Sequence, residues 1–350
     1  MTGLLQSTVM PREKMNKRFE YSYSIGQCDV LDKEKGEAFR KKRMQWMEWL
    51  KGEDSHSIFR QIYSMLWDYA LFLTVNELRK MAATQPEHGV GFNGPVIRLF
   101  DAGFATTQAI TIRRLIEKPK ANPRWAVISL RRVLKDIEQN LDLITRENYV
   151  CHDGLPYDYD SVHQKWLSSL PLTKSGVHVG SLPTKGPDAW PTAERIHKNF
   201  DILSQVNPKS RTREDRIKIE VLGHLETEIK KCESIKKYAD KFIAHATAPE
   251  TRTSLSDSEK SITLERLETC HKIIYQVASF ISGPLLWESN LGGLSVPQYD
   301  HLKNLDKNWV SPRNLEKARE KWDEFANEVS NWDSISFWPP SFRLDWESKP

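Results

Sequence analysis

The chain has 350 residues, 39% of them hydrophobic and 28% charged, with a formal net charge of +4 at pH 7. That balance excludes a chain too polar to bury a core, and the mild charge permits a polyanionic partner without requiring one. The apolar runs at 69–75 and 273–281 are too short or too interrupted to span a bilayer, and the N-terminus lacks a basic-then-apolar leader pattern, so no membrane partner is expected.

Residues 1–32 read as an arm with little periodicity. Helical spacing begins at Lys33 and runs to Lys51, with Phe39, Met44, Trp46, Met47 and Leu50 as its apolar points. Ser55 suits the N-cap of a second helix ending near Ala83, apolar around much of its circumference and therefore central in a bundle. Pro95 fits the first turn of a third helix, Val96 to Lys118. The linker Pro119 to Pro123 leads to a fourth, Trp125 to Thr145. Helices of this length with short connections predict an all-α bundle.

Glycines and prolines break the pattern between 147 and 211. This stretch reads as a loop-rich insertion with short helices at Ser161 to Leu167 and Thr192 to Leu203, and it allows a strand at Gly176 to Leu182. One long helix is expected next, from Arg213 to His245. Leu222, Leu225, Ile229, Cys232, Ala239 and Phe242 form its apolar stripe, Lys236 fills the skipped place, and Pro249 supplies a stop. A last core helix runs from Leu264 to Ser282, closed by Gly283-Pro284. The division is an arm at 1–32, a bundle at 33–286 and an appendage at 287–350. The appendage holds one helix, Pro312 to Val329, and Trp309, Trp322, Trp332, Phe337, Trp338 and Trp346 are expected to pack it onto the bundle.

Basic clusters at Lys41-Lys42-Arg43, Arg113-Arg114, Arg131-Arg132 and Lys209 to Lys218 are interspersed with acids and read as solvated helix faces. The cysteines at 28, 151, 232 and 270 lack metal-ligand spacing, so no metal or cofactor is expected and reduced thiols in a cytoplasmic chain are. Cys151-His152-Asp153 and Cys270-His271 read as structural, because adjacent residues rarely chelate one ion and helix neighbours point apart. No phosphate-binding loop, dinucleotide fingerprint or repeat occurs.

The strongest site candidate is His245. Lys237, Lys241 and His245 follow at four-residue steps on one helix face, where two ammonium groups beside an imidazole call for an anion: a phosphodiester, or a carboxylate from another helix. Lys236 and Asp240 make an i,i+4 ion pair on the neighbouring face.

Asp240-Lys-Phe-Ile-Ala-His245, late in a helix of an α-bundle, resembles the signature of the HEPN superfamily, and more narrowly its AbiU-type abortive-infection branch. Thr107-Gln-Ala-Ile-Thr-Ile-Arg-Arg-Leu-Ile and Ala126-Val-Ile-Ser-Leu-Arg-Arg-Val-Leu resemble the helix pair that precedes the signature there. The resemblance covers residues 55–286 apart from 147–211. It implies a HEPN-like bundle, a homodimer, an RNA substrate, a partner protein such as an antitoxin of a bacterial defence locus, and metal-independent RNA cleavage. His245 would then be the acid/base, oriented by Asp240 and Lys241. The family's arginine position holds Ala239 here. The phosphate-contacting charge would come instead from Lys237 or Lys241, or from Arg113 or Arg114 on the adjacent helix. Without such a charge, the domain would be a non-catalytic interaction module.

Overall fold

The computed structural model describes residues 19–83, 94–120, 122, 127–170, 182–245, 247–253, 255–288, 297–300, 302–303 and 312–330. The chain is all-α. Among the described residues there is no strand, only one antiparallel bridge between Thr145 and Arg216. It divides into two compact units, Met1–Ser295 and Val296–Pro350. None of the described helices is long and apolar enough to cross a membrane.

In the first unit, α1 (Lys33–Lys51) is capped by Asp32, whose side chain accepts from the Lys35 amide. Its buried face carries Phe39, Trp46, Met47 and Leu50 but also Arg40 and Arg43. Next come α2 (Ile58–Ala83) and α3 (Gly94–Leu115), which pack against each other as an α-hairpin. The fourth helix is shorter than its apolar pattern predicts. Ser129 caps α4 (Leu130–Gln139), residues 127–129 are extended, and a 3₁₀ turn at Leu141–Leu143 replaces the expected last helical turn.

The 147–211 stretch contributes α5 (Arg146–Cys151), α6 (Tyr159–Ser169) and α7 (Trp190–Ser204). Tyr149, Val150, Ile196 and Phe200 from it are fully buried in the same hydrophobic core as α1 to α4. Burying such side chains stabilises by about 1.5–3 kcal/mol each, so this segment is integral to the bundle. The strand allowed at Gly176 to Leu182 lies, but for Leu182, outside the described residues.

The single long helix expected from Arg213 is instead three pieces. Residues 211–218 are held out of helix by ion pairs: Arg211 with Asp201, Arg213 with Asp29 and Glu147, and Asp215 with Arg146. Helix α8 (Ile219–Lys230) then closes in a 3₁₀ turn, with the Lys231 and Cys232 amides donating to Glu228 and Ile229. α9 (Glu233–Tyr238) follows and widens into a π-turn at Ala239–Ile243. The break re-aims the stripe, so that Ile235 faces the core with Leu222, Leu225, Ile229, Cys232 and Ala239.

Pro249 does not end this element; it opens the short helix α10 (Pro249–Thr253), consistent with its fixed φ at a first turn. After α11 (Asp257–Lys260), α12 (Leu264–Phe280) packs on α2, α3 and α8, and a second π-turn at Ile281–Leu285 carries the chain past Gly283-Pro284.

The arm is described from residue 19. Asp153 accepts from the Ser22 and Tyr23 amides, at 2.7 and 3.1 Å, and Cys28 and Val30 enter the core. Gly154 and Gly186, at φ +83° and +84°, both face the Tyr23 side chain, where an added Cβ would come within 2.5 Å of the ring and 2.2 Å of the hydroxyl, respectively.

In the second unit, α13 (Pro312–Ser330) is amphipathic, and its Trp322 is exposed. Trp309, Trp332, Phe337, Trp338 and Trp346 lie outside the described residues.

Candidate functional site

The candidate site forms where α3 packs against α9 and the π-turn. Ala239 opens that turn fully buried, its carbonyl accepting from the Ala244 amide five residues on at 2.8 Å. A guanidinium at position 239 would have to enter an apolar helix–helix interface, a costly burial. Arg113 arrives from the opposite side. Its Nε donates to Asp240 Oδ1, while Lys236 Nζ donates to Asp240 Oδ2 at 2.9 Å and stands 3.8 Å from Glu117.

Burial pushes the Asp240 carboxyl up, but the hydrogen bonds from Arg113 and Lys236 outweigh it and hold the group below the usual carboxylate range. Asp240 is therefore an ionised clamp between two cations. Its pair with Lys236 is part of a half-buried network, not the isolated surface pair its spacing suggests.

The predicted face of Lys237, Lys241 and His245 is split. Lys237 pairs with Glu259 of α11 at 2.7 Å. The hydrogen bond from Lys237, with those from Ser256, draws the Glu259 carboxyl down to about 2. Lys241 is half-buried within the π-turn, and His245 is exposed just beyond it. The i→i+5 bond inserts an extra residue into the turn, so a four-residue step no longer stacks Lys241 on His245. His245 makes no ion pair or hydrogen bond among the described residues. Arg113 and Arg114 separate likewise: Arg113 turns into the site and Arg114 is exposed without an ion pair among the described residues.

Sequence reasoning missed the internal arginines. Arg131, expected on a solvated face, is 3% exposed; it donates to Glu226 and Glu233 and so ties α4 to α8 and α9 beneath the site. Arg43 donates through Nε and Nη2 to the Leu286 carbonyl, at 3.0 and 2.8 Å. Both lie at three- or four-residue steps from buried apolar residues of their own helices, Arg131 from Leu134 and Arg43 from Phe39, Trp46 and Met47. That spacing was the available signal.

The two cysteine–histidine pairs divide between different surroundings. Cys151 is buried, and the His152 ring stands edge-on to Phe39 and Tyr21. Cys270 shares a hydrogen bond with Cys232, whereas His271 lies against Tyr69. No group of His, Cys, Asp and Glu suited to a metal occurs among the described residues.

Comparison with protein-family models, curated proteins and solved structures finds no match to this chain.

Proposed function

We propose that the chain is a HEPN-like protein acting on RNA without a metal, with His245 as its acid/base and Arg113 in place of the arginine missing at 239. The observation that carries this reading is the Arg113–Asp240 pair beside an exposed His245. A guanidinium is delivered from α3 to the polar residue of the motif, while the imidazole remains open to solvent. In such a site, His245 would accept a proton from a ribose 2′-hydroxyl or return one to the leaving oxygen. Arg113, exchanging Asp240 for a phosphate, would offset the charge gathering on the phosphate oxygens. The resemblance behind this reading also implies a homodimer and a defence-system or antitoxin partner.

One observation favours a second reading, a non-catalytic helical interaction module. Arg113 and Lys236 are both committed to Asp240, and Lys237 to Glu259, which leaves Lys241 and Arg114 as the candidate cations without an ion pair among the described residues. Cleavage of total RNA and purified tRNA in chelator separates the two. The RNA-acting reading expects cleavage that falls about a hundredfold or more in His245→Ala and is weakened in Arg113→Ala. Cleavage that His245→Ala leaves unchanged would overturn the His245 mechanism, and intact RNA beside a folded protein would favour the interaction module.

A further inference from the structure

One cavity shares no residue with the α3–α9 site. It encloses about 960 Å³ and is floored by α1, α2, α5 and α7, at the upper end of the range for small-molecule sites. Five cationic side chains line it against three carboxylates. Two of the carboxylates are engaged, and the third, Glu20, is exposed and makes no ion pair among the described residues. Asp153 accepts from the arm's amides, and Glu288 pairs with Arg43 at 3.3 Å.

The cations are less committed. Lys185 and Arg195 make no ion pair or hydrogen bond among the described residues, and Arg60 donates only to the Gly52 carbonyl at 3.3 Å. Three positive charges facing one concavity without carboxylate partners repel one another, and an anion would relieve that repulsion. Thr192 adds a hydroxyl from the first turn of α7, a helix that begins without a side-chain cap and so presents its positive end.

The aromatic wall is the second observation. Trp287 lines the cavity with a backbone φ of +49°, a conformation that glycine adopts freely and a bulky residue rarely does. It sits at the closure of the second π-turn, its amide donating to Gly283 and that of Glu288 to Ser282, where glycine is the usual occupant. Left-handed backbone at a non-glycine residue is unfavourable and is concentrated at ligand sites. Its indole lies under the Arg195 guanidinium, 5.4 Å from the ring centroid, and Tyr63 and Phe59 supply further aromatic edges.

We infer that this cavity binds a nucleotide: a heteroaromatic body against Trp287, with its phosphate held by Arg195, Lys185 and Arg60. The site does not depend on the RNA reading, since none of its residues belongs to the α3–α9 site.

The test is calorimetric titration of the full chain with AMP, GMP, CMP and UMP, beside inorganic phosphate and adenosine. Arg195→Gln changes an exposed side chain and leaves the core intact. Trp287→Gly deletes the ring while giving the backbone the residue that suits it. The expected result is binding of at least one nucleotide that weakens about tenfold or more in each variant, with phosphate and adenosine both weaker. Absence of nucleotide binding up to about 1 mM, phosphate bound as tightly as the nucleotide, or a variant that retains wild-type affinity would overturn the assignment.

Discussion

Arg113, near the end of α3, donates through Nε to Asp240 in the π-turn, so a single ion pair joins the two elements that form the candidate site. Asp240 also holds Lys236, and Arg113 pairs with no other carboxylate among the described residues. The pair therefore links the electrostatics of the site to the stability of the fold around it.

Asp240→Asn tests that link through pH. The folded-state pKa of Asp240 is depressed, so its contribution is fully present above the unfolded value, near 3.9, and is lost as pH falls through the lower folded value. Urea unfolding at pH 7 should show a loss of about 1 kcal/mol, modest because both side chains are partly solvated. Between pH 5 and about pH 2 the variant should lose less stability than wild type. Parallel acid profiles would show that the pair contributes nothing to folding.

Much of this architecture was legible in the sequence, for an identifiable reason. Helices α1, α2, α3, α12 and α13 have long apolar periodicity or start signals such as Pro95, and their predicted limits lie within a few residues of the observed ones. What periodicity could not carry was the break between α8 and α9 and the two π-turns. The late start of α8 was equally hidden, because it arises from tertiary demands: Arg213 and Asp215 are drawn to Glu147 and Arg146. A π-turn shifts register by one residue, so Lys237, Lys241 and His245 are aligned in the sequence and dispersed in space. The ion pairs of Arg113 and Arg131 were illegible because each partner lies on a distant segment.

Buried charge supplies a larger effect at Arg146. Its guanidinium is fully buried, donates to Asp201 and Asp215 at 2.8 and 2.7 Å, and lies 5.0 Å from the Phe200 ring centroid. Arg146→Met would leave Asp215 buried with only the Thr212 groups, whereas Asp201 keeps Arg211. Breaking one side of such a network costs about 3–5 kcal/mol, while the exposed Arg114→Met should fall within about 0.5 kcal/mol. Chemical denaturation of both variants checks this; equal small losses would mean the Arg146 network is not structural.

The seat of Tyr23 makes a steric prediction. Gly154→Ala combines a left-handed backbone, φ +83°, with a Cβ only 2.5 Å from the Tyr23 ring. The variant should lose about 1–3 kcal/mol, and amides of residues 22–30 should exchange faster as the arm lifts. In a Tyr23→Ala background the clash vanishes and only the backbone cost remains, so the two substitutions should be strongly non-additive. Additive losses would place the cost entirely in the backbone of Gly154.

His271 gives the clearest pH dependence. The residue is 2% exposed on α12, its ring stands edge-on to Tyr69 at 4.8 Å, and neither nitrogen has a hydrogen-bond partner among the described residues. Burial alone lowers its pKa to about 4. An unfolded chain, with a histidine near 6.5, takes up a proton that the folded ring refuses, so acidification favours unfolding. The resulting loss begins below about pH 6.5 and approaches about 3 kcal/mol near pH 4. His271→Leu removes it at the cost of the Tyr69 contact, so the variant should be equal to or less stable than wild type at pH 7 and gain on it steadily down to pH 4. His197, also drawn to about 4, by burial and by Arg146 and Arg211, leaves a residual slope in both proteins. Thermal unfolding across this range decides the matter, because a constant difference between the two proteins would mean that His271 takes up its proton within the folded core.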